Sequence, residues 1–167
     1  DRRFFLARDR MGICPLFYTV QDGFLIFASE IKALLEHPAV PRAVDLTGLD
    51  QIMTFPGPVS PRTLFQGISS LKSGHFLLTE NGQVRTPQPY WDLDYPPADA
   101  PPDNIPEQQY VEQLRACLRQ SVHLRLQADV PVGLYLSGWL DSSLIAALVK
   151  ELQPRAKIHS FSIAFTD

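Results

Sequence analysis

Val130-Pro-Val-Gly-Leu-Tyr-Leu-Ser-Gly-Trp-Leu-Asp-Ser-Ser143 is the stretch that decides how the second half of this chain reads. It begins as an apolar, strand-like run, ends in small polar residues, and enters the helical pattern Leu144 to Leu152. A strand-to-helix turn built of small residues lets backbone amides approach an anion, and the helix dipole favours negative charge there. Ser137, Gly138, Ser142 and Ser143 are small enough, and their three hydroxyls are extra donors. Asp141 cannot take phosphate directly; in such a site it holds Mg²⁺, which bridges to the phosphates. The stretch has no Gly-Lys-Ser/Thr ending, so it is not a Walker A loop and grips pyrophosphate without a lysine clamp. The same residues also fit an ordinary turn with Asp141-Ser142 as an N-cap pair. On these residues alone both readings stand, and Trp139, the bulkiest side chain available, sits in the middle of either.

Outward from this stretch, the pattern becomes a supersecondary unit. Tyr110, Leu114, Cys117/Leu118, Ser121/Val122 and Leu126 recur in steps of three and four, which predicts an amphipathic helix over 107–127 with Cys117 on its packed face. A strand over 130–136, a helix over 142–152 and a strand over 158–165 follow. Strand, helix and strand with continuous apolar strands predict a βαβ unit of a parallel sheet covered on both faces, hence α/β. One such unit is too small to complete a domain of that class.

Upstream, five prolines fall between Pro96 and Pro106, a composition that forms neither helix nor central strand. Residues 96–106 are therefore expected to be a semi-rigid linker. Before it, short runs rich in aromatic and β-favouring residues at 3–7 and 16–20 read as strands. Asp22-Gly23 and Asn81-Gly82 each sit between apolar runs and mark hairpins. Helices are expected over 30–35, with Ser29 as N-cap, and over 46–53. Residues 1–95 thus read as α+β.

With 45% hydrophobic and 20% charged residues and a net charge of -3, the chain has a globular composition and lacks the basic stripe that nucleic acid or an anionic membrane requires. No apolar run is long enough to span a bilayer, and the N-terminus has no signal-peptide layout. Cys14 and Cys117 lie in no paired or metal-ligand spacing and read as reduced thiols of a cytoplasmic protein. The chain opens without Met on a strand-like run, so it is expected to be a piece of something longer.

Five motifs carry a resemblance. Asp129 to Ser143 resembles the pyrophosphate loop Asp-Val-Pro-x-Gly-x-x-Leu-Ser-Gly-Gly-Leu-Asp-Ser-Ser of the glutamine-dependent asparagine synthetases. Ala7-Arg-Asp-Arg-Met-Gly-Ile-Cys-Pro-Leu-Phe-Tyr18 is similar to that family's Ala-Arg-Asp-x-x-Gly-x-x-Pro-Leu-Tyr-Tyr, and Phe27-Ala-Ser-Glu-Ile-Lys-Ala-Leu34 to its Phe-Ala-Ser-Glu-x-Lys-Ala-Leu. Tyr90-Trp-Asp-Leu93 and Ser160-Phe-Ser-Ile163 fall in the family's order.

The resemblance implies that residues 1–95 are the later part of a class II glutamine amidotransferase domain, an Ntn-type αββα sandwich. Residues 107–167 then open an ATP-pyrophosphatase domain. It implies ATP and Mg²⁺ as reactants, aspartate and glutamine as substrates, and amidation through an acyl-adenylate; a homodimer is compatible with it. Ser137, Gly138, Leu140, Asp141, Ser142 and Ser143 match the pyrophosphate loop, with Asp141 the Mg²⁺ contact. Tyr135 and Ile163 match positions that meet the adenosine, although Tyr135 replaces a smaller apolar residue and both also read as strand core.

The resemblance implies an N-terminal cysteine nucleophile that matches no residue of this chain, and the internal Cys14 is not read as its substitute. Arg8-Asp9-Arg10 reads as a half-buried structural ion cluster. His37, His75, His123 and His159 read as surface, helix-end or core residues. The family's glycine at position 139 is a Trp here. If that position needs a positive φ, a Trp costs on the order of 1 kcal/mol or more. Three functions stay in view: an asparagine synthetase, a relative acting on another carboxylate as β-lactam synthetases do, and an inactive remnant.

Overall fold

The computed structural model describes residues 3–101 and 104–164. The chain divides into two compact units, Asp1–Pro97 and Ala98–Asp167.

In the first unit, β1 (Arg3–Ala7) pairs antiparallel with β5 (His75–Glu80), placing Leu6 opposite Leu77. β6 (Gln83–Val84) and β7 (Gln88–Pro89) pair with β5 as well. A second antiparallel sheet holds β3 (Phe24–Ala28), β2 (Phe17–Gln21) and β4 (Ser69–Ser70), in that order. The predicted hairpin turns form as the sequence requires: Asp22 and Gly23 have φ of 50° and 79°, and Asn81 and Gly82 have φ of 51° and 79°.

Strand alternation then assigns the faces. Leu6, Leu71 and Leu77 are buried together against Tyr18 and Leu25, so the two sheets stack face to face. Phe4 meets Phe27 across the same layer with ring centroids 5.2 Å apart. The other face of the second sheet, through Phe17, Ile26 and Ala28, packs on Leu34, Val40 and Ile68. Leu34 belongs to the single helical turn α1 (Ile31–Leu34), so the layers run sheet, sheet, helix, compatible with an Ntn-type domain. Each fully buried leucine side chain contributes about 1.5–3 kcal/mol relative to exposure.

One local expectation changes and one holds. Helix α1 is capped by Glu30, not Ser29, without a side-chain hydrogen bond; the Glu30 carboxylate is taken by Lys32 at 2.6 Å. Helix α2 (Leu46–Thr54) starts on Asp45, whose carboxylate accepts the Gly48 amide at 2.8 Å and an ion pair from Arg62.

The second unit contains α3 (Glu107–Arg125), β8 (Gly133–Tyr135), α4 (Leu140–Leu152) and β9 (His159–Phe161). β8 and β9 are parallel, with Leu134 opposite Ser160 and Tyr135 opposite Phe161. The strands are shorter than the apolar runs foretold. Pro131 has no amide to place in a ladder, so the strand begins beyond it. The end of the predicted strand over 158–165 lies outside the described residues. Leu118, Val122, Leu126, Leu134, Ile145, Leu148, Val149, Leu152 and Ile158 make one core, so α3 and α4 cover the Leu134 face. On the opposite face Tyr135 is 90% exposed and Phe161 59%. Cys117 is exposed as well, because α3 packs through Leu118, Val122 and Leu126 and turns the Cys117 side outward. Glu151 of α4 ties the helices at their surface, meeting Arg119 at 3.0 Å and Arg115 at 3.4 Å.

Candidate functional site

The site begins where β8 stops. Leu136 donates its amide to the Phe161 carbonyl at 2.8 Å, and its own carbonyl accepts the Ser162 hydroxyl at 2.7 Å. These bonds fix the strand end against β9. Gly138 then turns the chain with φ +83°, a conformation L side chains rarely adopt. The space beside its Cα is open, so glycine is required for the backbone angle and not for room.

Trp139 follows with φ −82° and ψ 162° and is the N-cap of α4. The helix thus starts two residues earlier than its apolar pattern indicates, and Asp141 lies inside the first turn instead of capping it. The strain foreseen for a Trp here does not arise, because Gly138 carries the positive φ and Trp139 is extended. Its side chain is 77% exposed.

Three serines gather around this cap. The Trp139 carbonyl accepts the Ser143 amide at 3.1 Å, the Ser143 hydroxyl at 2.9 Å and the Ser142 hydroxyl at 3.1 Å. Ser137 and Ser142 hydroxyls are 3.0 Å apart. With Ser142 donating to Trp139, Ser137 donates to Ser142, so the hydroxyl protons are spent within the loop. This differs from the expectation of three spare donors. The donors left facing outward are the amides of Leu140, Asp141 and Ser142, which have no intrahelical acceptor. Trp has no side-chain oxygen to cap them.

Asp141 is exposed, stabilised by the dipole of the helix it opens, and without an ion-pair or hydrogen-bond partner among the described residues. No cluster of three or more His, Cys, Asp or Glu forms a metal cage among those residues. A single exposed carboxylate in the first turn of α4 is compatible with Mg²⁺, which takes one or two carboxylates and completes its shell with phosphate oxygens and water. Leu140 is 81% exposed at the same helix end. Tyr135 and Ile163, at 90% and 86% exposure, are not strand core in this unit; Tyr135 packs its ring against Phe161 with centroids 6.3 Å apart.

In the first unit, Arg8-Asp9-Arg10 is not an ion cluster. Arg8 is half-buried and donates to the carbonyls of Leu71, Gly12 and Cys14 at 2.7, 2.8 and 3.0 Å, and to the Ser70 hydroxyl. The Asp9 carboxylate accepts the Cys14 and Ile13 amides at 2.9 and 3.0 Å, and these bonds hold its pKa below the ordinary carboxylate value. Arg10 lies over the Trp91 ring, 5.9 Å from its centroid. Cys14 is exposed, and its backbone groups are those bound by Asp9 and Arg8. His75 stays a local residue, its ring bonded to the Ser73 carbonyl. Residue spacing could not foretell that side chains of opposite charge bind backbone instead of each other.

No helix among the described residues is long and apolar enough to cross a membrane. A glutamine amidotransferase domain model matches residues 1–91, and an asparagine synthase model matches 113–167. The chain is 40% identical to the amidase chyE of Penicillium rubens over 87% of its length, covering 21% of that protein. It is 38% identical to asparagine synthetase [glutamine-hydrolyzing] 2 of Bacillus subtilis, with 95% of this chain and 22% of the relative covered. Asparagine synthetase [glutamine-hydrolyzing] 3 of the same organism is 34% identical over 98% of this chain and 26% of its own. The chain therefore spans a fifth to about a quarter of the length of these relatives. Both family models match in the order that the five motifs occupy, and the chain belongs to the glutamine-hydrolysing asparagine synthetase family.

Proposed function

We propose that the chain is part of a carbon–nitrogen ligase that amidates the β-carboxylate of aspartate with ammonia drawn from glutamine and with MgATP as the activating substrate. In this reading residues 1–95 belong to the glutamine-hydrolysing domain, 96–106 link, and 107–167 open the ATP-pyrophosphatase domain. A cytoplasmic location fits these substrates.

The observation that carries the reading is the turn from β8 into α4. Gly138 at φ +83° turns the chain into α4, whose first amides, those of Leu140, Asp141 and Ser142, have no intrahelical acceptor. Such a cradle stabilises charge as it builds on a departing pyrophosphate. The amides act without rearrangement, whereas the Ser137, Ser142 and Ser143 hydroxyls must turn from their internal acceptors to join them. Asp141 supplies the carboxylate for Mg²⁺, which neutralises phosphate charge when bound. The family resemblance assigns Tyr135, the last residue of β8, and Ile163, two residues past β9, to the adenosine side.

A second acceptor has support of its own: amidases of Penicillium rubens and Gibberella zeae, 40% and 39% identical, are among the relatives. They favour a family member acting on a carboxylate other than that of aspartate. The full-length protein is expected to exchange pyrophosphate into ATP only when aspartate is present. Exchange that needs another carboxylate instead selects the second reading. Absence of exchange with any carboxylate selects an inactive remnant and ends both.

A further inference from the structure

Two of the sequence motifs, eighty residues apart, meet in the first unit. The chain leaves β7 at Gln88–Pro89, where it pairs with Phe76 and His75 of β5. Past the strand the pairing continues: the amides of Tyr90 and Trp91 both donate to the Gly74 carbonyl, at 2.8 and 3.2 Å. Gly74 also donates its own amide to the Asp9 carbonyl at 3.0 Å. It is therefore held between loop 8–14 on one side and segment 88–91 on the other. A side chain at Gly74 would run into the Trp91 carbonyl, and its φ of +64° independently favours glycine.

The side chains of the segment then reach the loop directly. The Tyr90 hydroxyl donates to the Arg8 carbonyl at 2.7 Å, and Arg10 covers the Trp91 ring. Loop 8–14 is itself rigid, because the Arg8 guanidinium ties Gly12 and Cys14 to Leu71 and the Asp9 carboxylate ties Ile13 and Cys14. Only Asp92 to Tyr95 separate this junction from the proline-rich stretch that begins at Pro96.

We infer that Arg8–Asp9–Arg10, Gly74 and Tyr90–Trp91 form a latch that pins the exit strap of the first unit to loop 8–14. The latch fixes where the chain leaves the first unit. Arg8 and Asp9 are then positioning residues that act through the loop, and Tyr90 is the residue that closes the latch. This inference depends on no assignment of substrate.

Hydrogen exchange in the full-length protein tests it. In the Tyr90→Phe variant, which keeps the ring and loses the bond to the Arg8 carbonyl, amides of 90–93 are expected to exchange roughly fivefold or more faster. Those of β5 (75–80) keep their wild-type rates. Gly74→Ala is expected to release the same segment further. A wild-type rate over 90–93 in Tyr90→Phe overturns the latch whatever Gly74→Ala does. Equal loosening of β5 and 90–93 also overturns it, because the bond then supports the whole sheet rather than the strap.

Discussion

Ser143 binds the carbonyl of Trp139 twice, through its amide at 3.1 Å and its hydroxyl at 2.9 Å. That pair of hydrogen bonds makes Trp139 a backbone element of the loop, whatever its side chain does. It also separates two questions that the residue raises, the angle of its backbone and the place of its indole. The first is answered: φ is −82°, which any L residue adopts.

Trp139→Gly is accordingly expected to change MgATP affinity by less than about threefold, since no strain is released. Glycine is also an acceptable N-cap, so α4 does not weaken. Titration calorimetry on the full-length protein checks this. A gain of tenfold or more would mean that the indole obstructs the cradle.

Gly138 is the more sensitive position. Gly138→Ala places a Cβ at φ +83°, at a cost of about 1–2 kcal/mol. With open space around it, no steric term adds to that. Denaturant unfolding should show the loss, and Gly138→Asn should lose less, because Asn tolerates the left-handed region better.

Asp141→Asn keeps shape and removes charge. Mg²⁺-dependent nucleotide affinity is expected to fall about tenfold, while binding measured without Mg²⁺ stays level or improves as repulsion between carboxylate and phosphate is relieved. Equal affinity with Mg²⁺ in the variant and the wild type would remove Asp141 from the site.

Leu77 is fully buried between the two sheets of the first unit. Leu77→Ala is expected to cost about 2–5 kcal/mol of that unit's stability, read by denaturant unfolding. The second unit, whose core is separate, should be unaffected.

Glu151 gives a pH signature. Hydrogen bonds from Arg119 and then Arg115 hold its carboxyl below its ordinary value of 4.5. A depressed folded-state pKa stabilises the fold above the unfolded value and loses that contribution as pH falls through 4.5 toward the folded value. Glu151→Gln should thus be less stable than wild type at neutral pH, and the gap should close on acidification below 4.5. The gap is small at an exposed pair, and added salt narrows it.

The parts of the fold that were legible in sequence rest on local chemistry. Asp22-Gly23 and Asn81-Gly82 can adopt positive φ at both turn positions, and the structure places them there. The long helix was legible because its apolar spacing extends from Tyr110 to Leu126, more than about four turns. The cap of α1 was not, since Ser29 and Glu30 are both polar and only the tertiary fit of Leu34 sets the helix start. What covers each sheet face was not legible, because apolar strands announce burial without naming their cover; in this chain Tyr135 and Phe161 are exposed. The loop at 137–143 was legible as a small-residue turn, but not the division of labour within it. Which glycine takes the positive φ, and which hydroxyls are already engaged, depends on backbone geometry that residue types do not encode. The latch was beyond reach for a related reason: its bonds run to the carbonyls of Arg8 and Gly74, which every residue type possesses.

In the proposed function the amides opening α4 grip pyrophosphate. Hydrogen exchange of Leu140, Asp141 and Ser142 in the full-length protein, measured with and without magnesium pyrophosphate, tests it directly. Bound pyrophosphate should slow those amides about tenfold or more while Leu77 and its strand keep their rates. Unchanged exchange at 140–142 when pyrophosphate is bound and saturating would contradict the account.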